Sequence, residues 1–234
     1  MNDHPRAIAL PRDQRLPGSG GGSLQQDRPE VARVLKNTYA LLSLTLLFSA
    51  GVAAAGVAFQ WPAPGLVLTL VGFFGLLFAV HKLQNSVWAL PLVFALTGFM
   101  GYTLGPLLTH TLALPGGAQT IVTALAATGA TFVGLTAYVL TTRRDFSFMG
   151  GFLFAGIVVA LMLMLGAYFF QMPALALAVS GLVALLSVGL ILFETSRIVN
   201  GGETNYVLAT VGLFVSVFNL FTSLLSLLGM GGND

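Results

Sequence analysis

The chain has 234 residues, of which 56% are hydrophobic and only 8% are charged. A soluble domain has roughly a quarter of its residues charged, so this composition excludes a water-soluble globular protein. A net charge of +2 gives no basis for a nucleic-acid partner. The absence of cysteine excludes disulfides and thiolate metal sites.

The first 36 residues are predicted to form a disordered tail, followed by a transmembrane domain over 37–234. The tail holds six of the ten Lys and Arg residues and four of the eight Asp and Glu residues, with a glycine-rich run at 18–23. Such a segment buries too little apolar surface to offset the entropy lost on ordering. No apolar run precedes Tyr39, so we expect no signal peptide.

Seven apolar runs, separated by Pro, Gly or charge, follow the tail. Each approaches the ~20 residues that a helix needs to cross a bilayer, whereas strands of a membrane barrel are shorter and alternate in polarity. The predicted spans are 39–59, 63–80, 87–109, 119–140, 148–170, 174–193 and a last one ending at Leu228. The fold class is therefore an all-α polytopic membrane protein with seven helices and the membrane lipid as its solvent.

Lys and Arg in the connecting loops indicate the orientation. Basic residues fall before span one and after spans two, four and six, whereas the other loops and the C-terminal end have none. Beyond the tail, these residues are Lys82, Arg143, Arg144 and Arg197. We therefore expect a cytoplasmic N-terminus and a C-terminus on the opposite side.

Small residues recur at helix-packing spacing. Gly101 and Gly105 lie four residues apart in span three, and span one contains Ser49, Gly56 and several alanines. This pattern is typical of helices whose backbones approach closely, and we interpret it in that way.

Glu194 directly follows the sixth apolar run and is the only formal charge assigned to the membrane part of a helix, and Asn219 is the most polar uncharged side chain well inside another span. At about 1.5 Å per residue, Glu194 lies about 30 Å along its helix, near the cytoplasmic edge of the hydrocarbon. One interpretation is an interfacial carboxylate paired with Arg197. The other is a carboxylate that faces the bundle interior and acts as a proton-sensitive latch or cation ligand.

Enzyme motifs are missing from the sequence. No Gly-x-Ser-x-Gly, His-Glu-x-x-His or Gly-x-x-x-x-Gly-Lys pattern occurs, and His4, His81 and His110 fall in the tail and in two different loops. We therefore predict no catalytic residue, no cofactor and no firm metal site, and we interpret the protein as not being an enzyme.

Four motifs in the same order resemble the Bax inhibitor-1 family, most closely its bacterial YccA branch. They are VLKNTYALLSLTL at 34–46, LTGFMGYTLGP at 96–106, AYVLTTRRDFS at 137–147 and LFETSRIVNGGETNY at 192–206. The resemblance implies a bundle with the last helix central and wrapped by the other six. It also implies a place in the bacterial inner membrane.

Two functions come with this resemblance. Members of the YccA branch are associated with the membrane-anchored AAA protease FtsH, both as a substrate and as an inhibitor of its action on other proteins. Other members behave as pH-sensitive Ca²⁺ leaks closed by a pair of aspartates on the sixth and seventh helices. A purely structural role is the third possibility.

The acidic pair is where this chain departs from the family. The resemblance places the pair at Glu194 and Asn219. We add Arg197, Arg143, Arg144 and Lys82 as candidate supporting charges. A carboxylate and an amide do not share a proton as two carboxylates do. A turn symmetric about Gly201 and Gly202 would also put Glu194 level with residue 209, about 15 Å from Asn219 along the helix.

Overall fold

The structure, a computed structural model, describes residues 23–230. Within that range seven α-helices and one short 3₁₀ turn, Ser147–Met149, occur without any strand. The helices are α1 Ser23–Ala58, α2 Leu66–Leu83, α3 Ala89–Leu112, α4 Gly117–Thr142, α5 Gly150–Phe169, α6 Pro173–Val199 and α7 Tyr206–Met230. All seven are long and apolar enough to cross a membrane, which confirms the predicted fold class.

The helix ends differ from the predicted spans by a few residues because local capping determines them. Gly116 precedes α4 with a left-handed φ of 73°, and Arg143 ends it with a φ of 49° while donating its N–H to the Val139 carbonyl. The first 22 residues of the predicted tail lie outside the described residues. Helix α1 already includes 23–36, where Leu, Gln, Glu, Ala and Arg favour a helix.

Helix α7 is the central element of the bundle. Half of its membrane window is buried, against 6% for α2 and 11% for the segment that contains α5. It packs against α1, α3, α4 and α6, whereas α2 packs on α3 and α5 packs on α6. The last helix is therefore central as expected, but four helices wrap it and not six, because α2 and α5 occupy the outside of that ring.

The largest core cluster joins both ends of the sequence. Phe214 and Leu213 of α7 are completely buried against Leu42 of α1, and Val93 and Leu96 of α3. Helices α1, α3 and α7 thus share the largest apolar core of the bundle.

Small residues let α1 and α3 approach closely, as the sequence predicted. A Cβ atom at Gly101 would collide with the backbone carbonyl oxygen of Ser49, and one at Gly105 would meet the backbone of Gly56 at 3.7 Å. The contact at Gly101 is with backbone, so no rotation of a side chain can relieve it.

We expect Gly101→Ala to destabilise the protein by about 1–3 kcal/mol, because the added methyl group must push α1 and α3 apart. Thermal unfolding in detergent micelles measures this effect. The matched control is Gly75→Ala in α2, where a Cβ atom has no neighbour within 4 Å; a higher helix propensity predicts an unchanged or slightly raised melting temperature there. Equal effects at the two positions would contradict the packing argument.

Candidate functional site

Glu194 lies near the end of α6, and its side chain is 17% exposed. A Cβ atom at Gly212 of α7 would lie 2.8 Å from the Glu194 carboxyl carbon, so the carboxylate occupies space that only a glycine leaves free. Its other neighbour is Arg197, whose Nη1 lies 3.9 Å from Glu194 Oε2. Glu194 therefore combines the two predicted arrangements: it has an arginine partner, and it faces α7.

Arg197 lies closer to a second carboxylate, that of Glu203, than to Glu194. Its Nη2 donates a hydrogen bond of 3.2 Å to Oε2 of Glu203, in the segment between α6 and α7. One guanidinium thus serves two carboxylates, and the closer pair is the one outside the helices. The weaker contact with Glu194 leaves that carboxylate incompletely neutralised.

Asn219 lies on the same side of α7 as Gly212, but two helical turns farther along. Seven residues correspond to about 10 Å along the helix axis, so Glu194 and Asn219 are not level. Within the described residues no hydrogen bond joins their side chains. Ser216 lies between the two levels and donates its hydroxyl to the Gly212 carbonyl at 2.9 Å.

The turn between α6 and α7 explains the level that Glu194 reaches. It runs from Asn200 to Asn205 and includes Gly201 with a left-handed φ of 75°. Because α7 begins only at Tyr206, the turn is centred beyond Gly201. This displacement shifts the partner of Glu194 from residue 209 to Gly212.

Asn219 lines a cavity of about 380 Å³ between α5, α6 and α7. The polar part of its lining consists of Tyr168, Ser180, Asn219, Thr222, Ser223 and Ser226. On α7 the polar residues at 216, 219, 223 and 226 alternate in spacing between three and four, which keeps them on one side of a helix. This spacing is the sequence signal that would have indicated a polar seam leading from Glu194 toward the cavity.

The remaining predicted charges stay apart from this seam. Arg143 and Arg144 are exposed at the end of α4, and Lys82 is exposed in the last turn of α2. In the part of the chain that the structure describes, Arg197 is the only one of the four that forms an ion pair. Residues 23–230 also contain no group of three or more His, Cys, Asp or Glu side chains that could hold a metal ion.

Comparison with known proteins agrees with this architecture. The family described as "Inhibitor of apoptosis-promoting Bax1" matches residues 31–233. The chain belongs to this Bax inhibitor-1 family. Its relatives include the Escherichia coli protein named "Modulator of FtsH protease YccA", which is 53% identical over 202 residues, or 86% of this chain and 92% of that protein.

Two further relatives have no functional name. An uncharacterized protein of Pseudomonas aeruginosa is 50% identical over 208 residues, covering 89% of this chain and 94% of its own. A Vibrio cholerae "Uncharacterized membrane protein" is 46% identical over 206 residues, covering 88% and 92%. With seven apolar helices and relatives named as membrane proteins, this Bax inhibitor-1 family member is a multi-pass protein of the bacterial inner membrane.

Sequence reasoning missed a set of hydrogen bonds between loops at the end of the bundle that carries Arg197. Asn205 donates to Asn85 at 3.0 Å and to Gln84 at 3.3 Å, which ties the α2–α3 loop to the start of α7. The backbone N–H of Phe146 donates to Ser196 Oγ at 2.9 Å, which ties the α4–α5 loop to α6. These loops are fixed to the helices and do not extend freely from the bundle.

Asp145 strengthens the second of these loops. Its carboxylate accepts a hydrogen bond of 2.8 Å from the Ser147 backbone N–H. Hydrogen bonds from the side chain and backbone of Ser147 lower the pKa of Asp145. Because the pKa is lower in the folded state, this contribution is fully present above the ordinary pKa of an aspartate and is lost as the pH falls from there through the lowered pKa of the folded state.

The contact between Glu194 and Gly212 predicts a specific coupling. Gly212→Ala gains helix propensity but pushes the carboxylate away, so we expect little net change in stability. In a Glu194→Ala background the same change has no carboxylate to displace, and we expect it to stabilise the protein by about 1 kcal/mol. A double-mutant cycle by thermal unfolding measures the coupling. Strict additivity of the two changes would contradict the observed contact.

Proposed function

We propose that this protein regulates a membrane-anchored AAA protease of the FtsH type. In this proposal it binds the protease, is itself a substrate of it, and thereby slows the action of the protease on other membrane proteins. Its role is regulatory and not catalytic. The supporting observation is the 53% identity with the Escherichia coli modulator, which extends over 92% of that protein.

The distribution of packing supports the same proposal. A protease that unfolds its substrate needs a free chain end to engage, and the loops beside Arg197 offer little, because side-chain hydrogen bonds fix them. The positions of Lys and Arg favour a cytoplasmic N-terminal segment, on the side where the protease would act. We therefore propose residues 1–22 as the segment that the protease engages.

If the protease pulled on residues 1–22, the force would act first on α1, which begins at Ser23. Helix α1 packs on α3 through backbone contacts at Gly101 and Gly105, and on α7 through Leu42. Extraction of α1 would therefore have to break the largest apolar core of the bundle. A substrate that resists extraction occupies the protease, which is the physical basis for inhibition in this proposal.

Deletion of residues 2–22 tests this mechanism and leaves α1 intact, because α1 begins at Ser23. We expect slower turnover of the protein by the protease in cells, together with faster turnover of other membrane substrates. The control replaces residues 2–22 with a Gly/Ser segment of equal length, because Gly/Ser sequences form flexible chains. Unchanged turnover and inhibition in the deletion variant would refute the role of this segment.

A second function, a pH-sensitive Ca²⁺ leak, is favoured by one observation. Glu194 is a largely buried carboxylate at the seam of α6 and α7, and the same seam leads to the cavity at Asn219. A carboxylate in this position binds cations when it is charged and releases them when it is protonated. Glu194 and Asn219 would then act at two levels of one path and not as a contacting pair.

Flux measurements on purified protein test this second function. Liposomes with a trapped Ca²⁺ dye should show a leak that changes between about pH 6 and about pH 8, and Glu194→Gln should remove the pH dependence. The matched control is Glu203→Gln, because Glu203 contacts the same arginine but lies outside the helices. Absence of flux across this range would exclude the leak.

A further inference from the structure

Ser and Thr hydroxyls in these helices generally donate to their own helix. Three buried examples are Thr45, Thr128 and Ser187. The Thr45 hydroxyl donates to the Leu42 carbonyl at 2.9 Å, and the hydroxyls of Thr128 and Ser187 each donate to the carbonyl four residues earlier at 2.7 Å. This arrangement is what hydrocarbon demands, because no solvent is present to satisfy a polar group.

Four buried hydroxyl oxygens depart from this rule. They belong to Thr38 and Tyr39 of α1, Thr136 of α4 and Thr195 of α6, and none has a hydrogen-bond partner in the described part of the chain. Thr38 and Thr195 are completely buried. A buried hydroxyl without a partner is unfavourable, and each such group in a folded protein calls for an explanation.

Three of the four oxygens converge on one point. The Tyr39 hydroxyl faces the side-chain hydroxyls of Thr136 and Thr195, so α1, α4 and α6 each contribute one group. Contact of the Tyr39 ring with Phe132 at 6.1 Å between centroids holds the ring toward α4. We call Tyr39, Thr136 and Thr195 the hydroxyl junction.

Helix α7 contacts α1 at Thr38, the residue that precedes Tyr39. Thr210 donates to the Thr38 carbonyl at 3.3 Å as well as to the Tyr206 carbonyl at 2.7 Å. The hydroxyl junction therefore lies where the ends of α4 and α6 meet the start of α7 beside α1. The hydroxyls of three separate helices come within reach of one another there.

We propose that the hydroxyl junction binds a water molecule that bridges Tyr39, Thr136 and Thr195. Buried waters typically make about three hydrogen bonds to groups that otherwise lack a partner, and the junction offers three such oxygens. The bridge would connect α1 to α4 and α6 inside the membrane.

The chemistry of the junction favours water over a cation. Its three oxygens are neutral, whereas a buried cation needs compensating negative charge. The nearest carboxylate in sequence, Glu194, is directed toward Gly212 and Arg197. A neutral molecule that both donates and accepts hydrogen bonds fits this set of groups.

Thr195→Val tests the proposal through the direction in which it changes the melting temperature. If a water bridges the junction, loss of one partner should lower the melting temperature by about 2–5 °C. If the Thr195 hydroxyl has no partner at all, its removal should raise the melting temperature or leave it unchanged. The control is Thr128→Val, which removes a buried hydroxyl bonded to its own helix. Tyr39→Phe serves as a second variant that preserves the ring.

Radiolytic hydroxyl labelling in detergent distinguishes a bridging water from direct bonds between the side chains. Bound water beside Tyr39 should give a labelling rate well above that of Phe214, which is completely buried, and Thr136→Val with Thr195→Val should lower that rate several-fold. Labelling of Tyr39 no faster than Phe214 would overturn the proposal. A melting temperature that depends on Na⁺ or K⁺ only while Thr195 is present would also overturn it, in favour of a cation.

Discussion

The hydrocarbon interior offers no hydrogen-bond partner, and this constraint governs the rest of the structure. A chain with so few charges beyond its first 36 residues can satisfy its backbone only within helices. The same constraint turns most buried hydroxyls back onto their own helices, as at Thr45 and Thr128. Polar groups that do not follow this rule, at the hydroxyl junction and around Asn219, therefore carry information that the hydrophobic pattern alone does not.

The number of helices and the close contact of α1 with α3 could be predicted because each depends on local properties of the sequence. Bilayer thickness sets the length of an apolar run, and a glycine pair at a spacing of four permits close approach wherever a neighbour exists. The neighbour itself was not predictable: Gly101 meets Ser49, whereas Gly75 meets nothing. Spacing identifies a possible contact, and tertiary packing decides whether it forms.

Relations between helices were harder to predict. The level at which Glu194 meets α7 depends on six turn residues between Val199 and Tyr206, and each residue of displacement shifts the register by about 1.5 Å. A symmetric turn therefore gave the wrong partner for Glu194, three residues from Gly212. The hydroxyl junction combines α1, α4 and α6, so no single helix reveals it. Placement of α2 and α5 outside the ring has no local signal either.

Uneven packing allows one bundle to resist extraction and still change shape. Helices α1, α3 and α7 share a continuous core around Phe214, whereas α2 and α5 each pack mainly on one neighbour. The free energy needed to open a region is smaller when the region makes fewer apolar contacts, so α2 and α5 can move at lower cost than α7 can. Movement of α5 would widen the cavity at Asn219 while the core that holds α1 stays intact. Regulation of a protease and an ion leak are therefore compatible in this fold, because they depend on different helices.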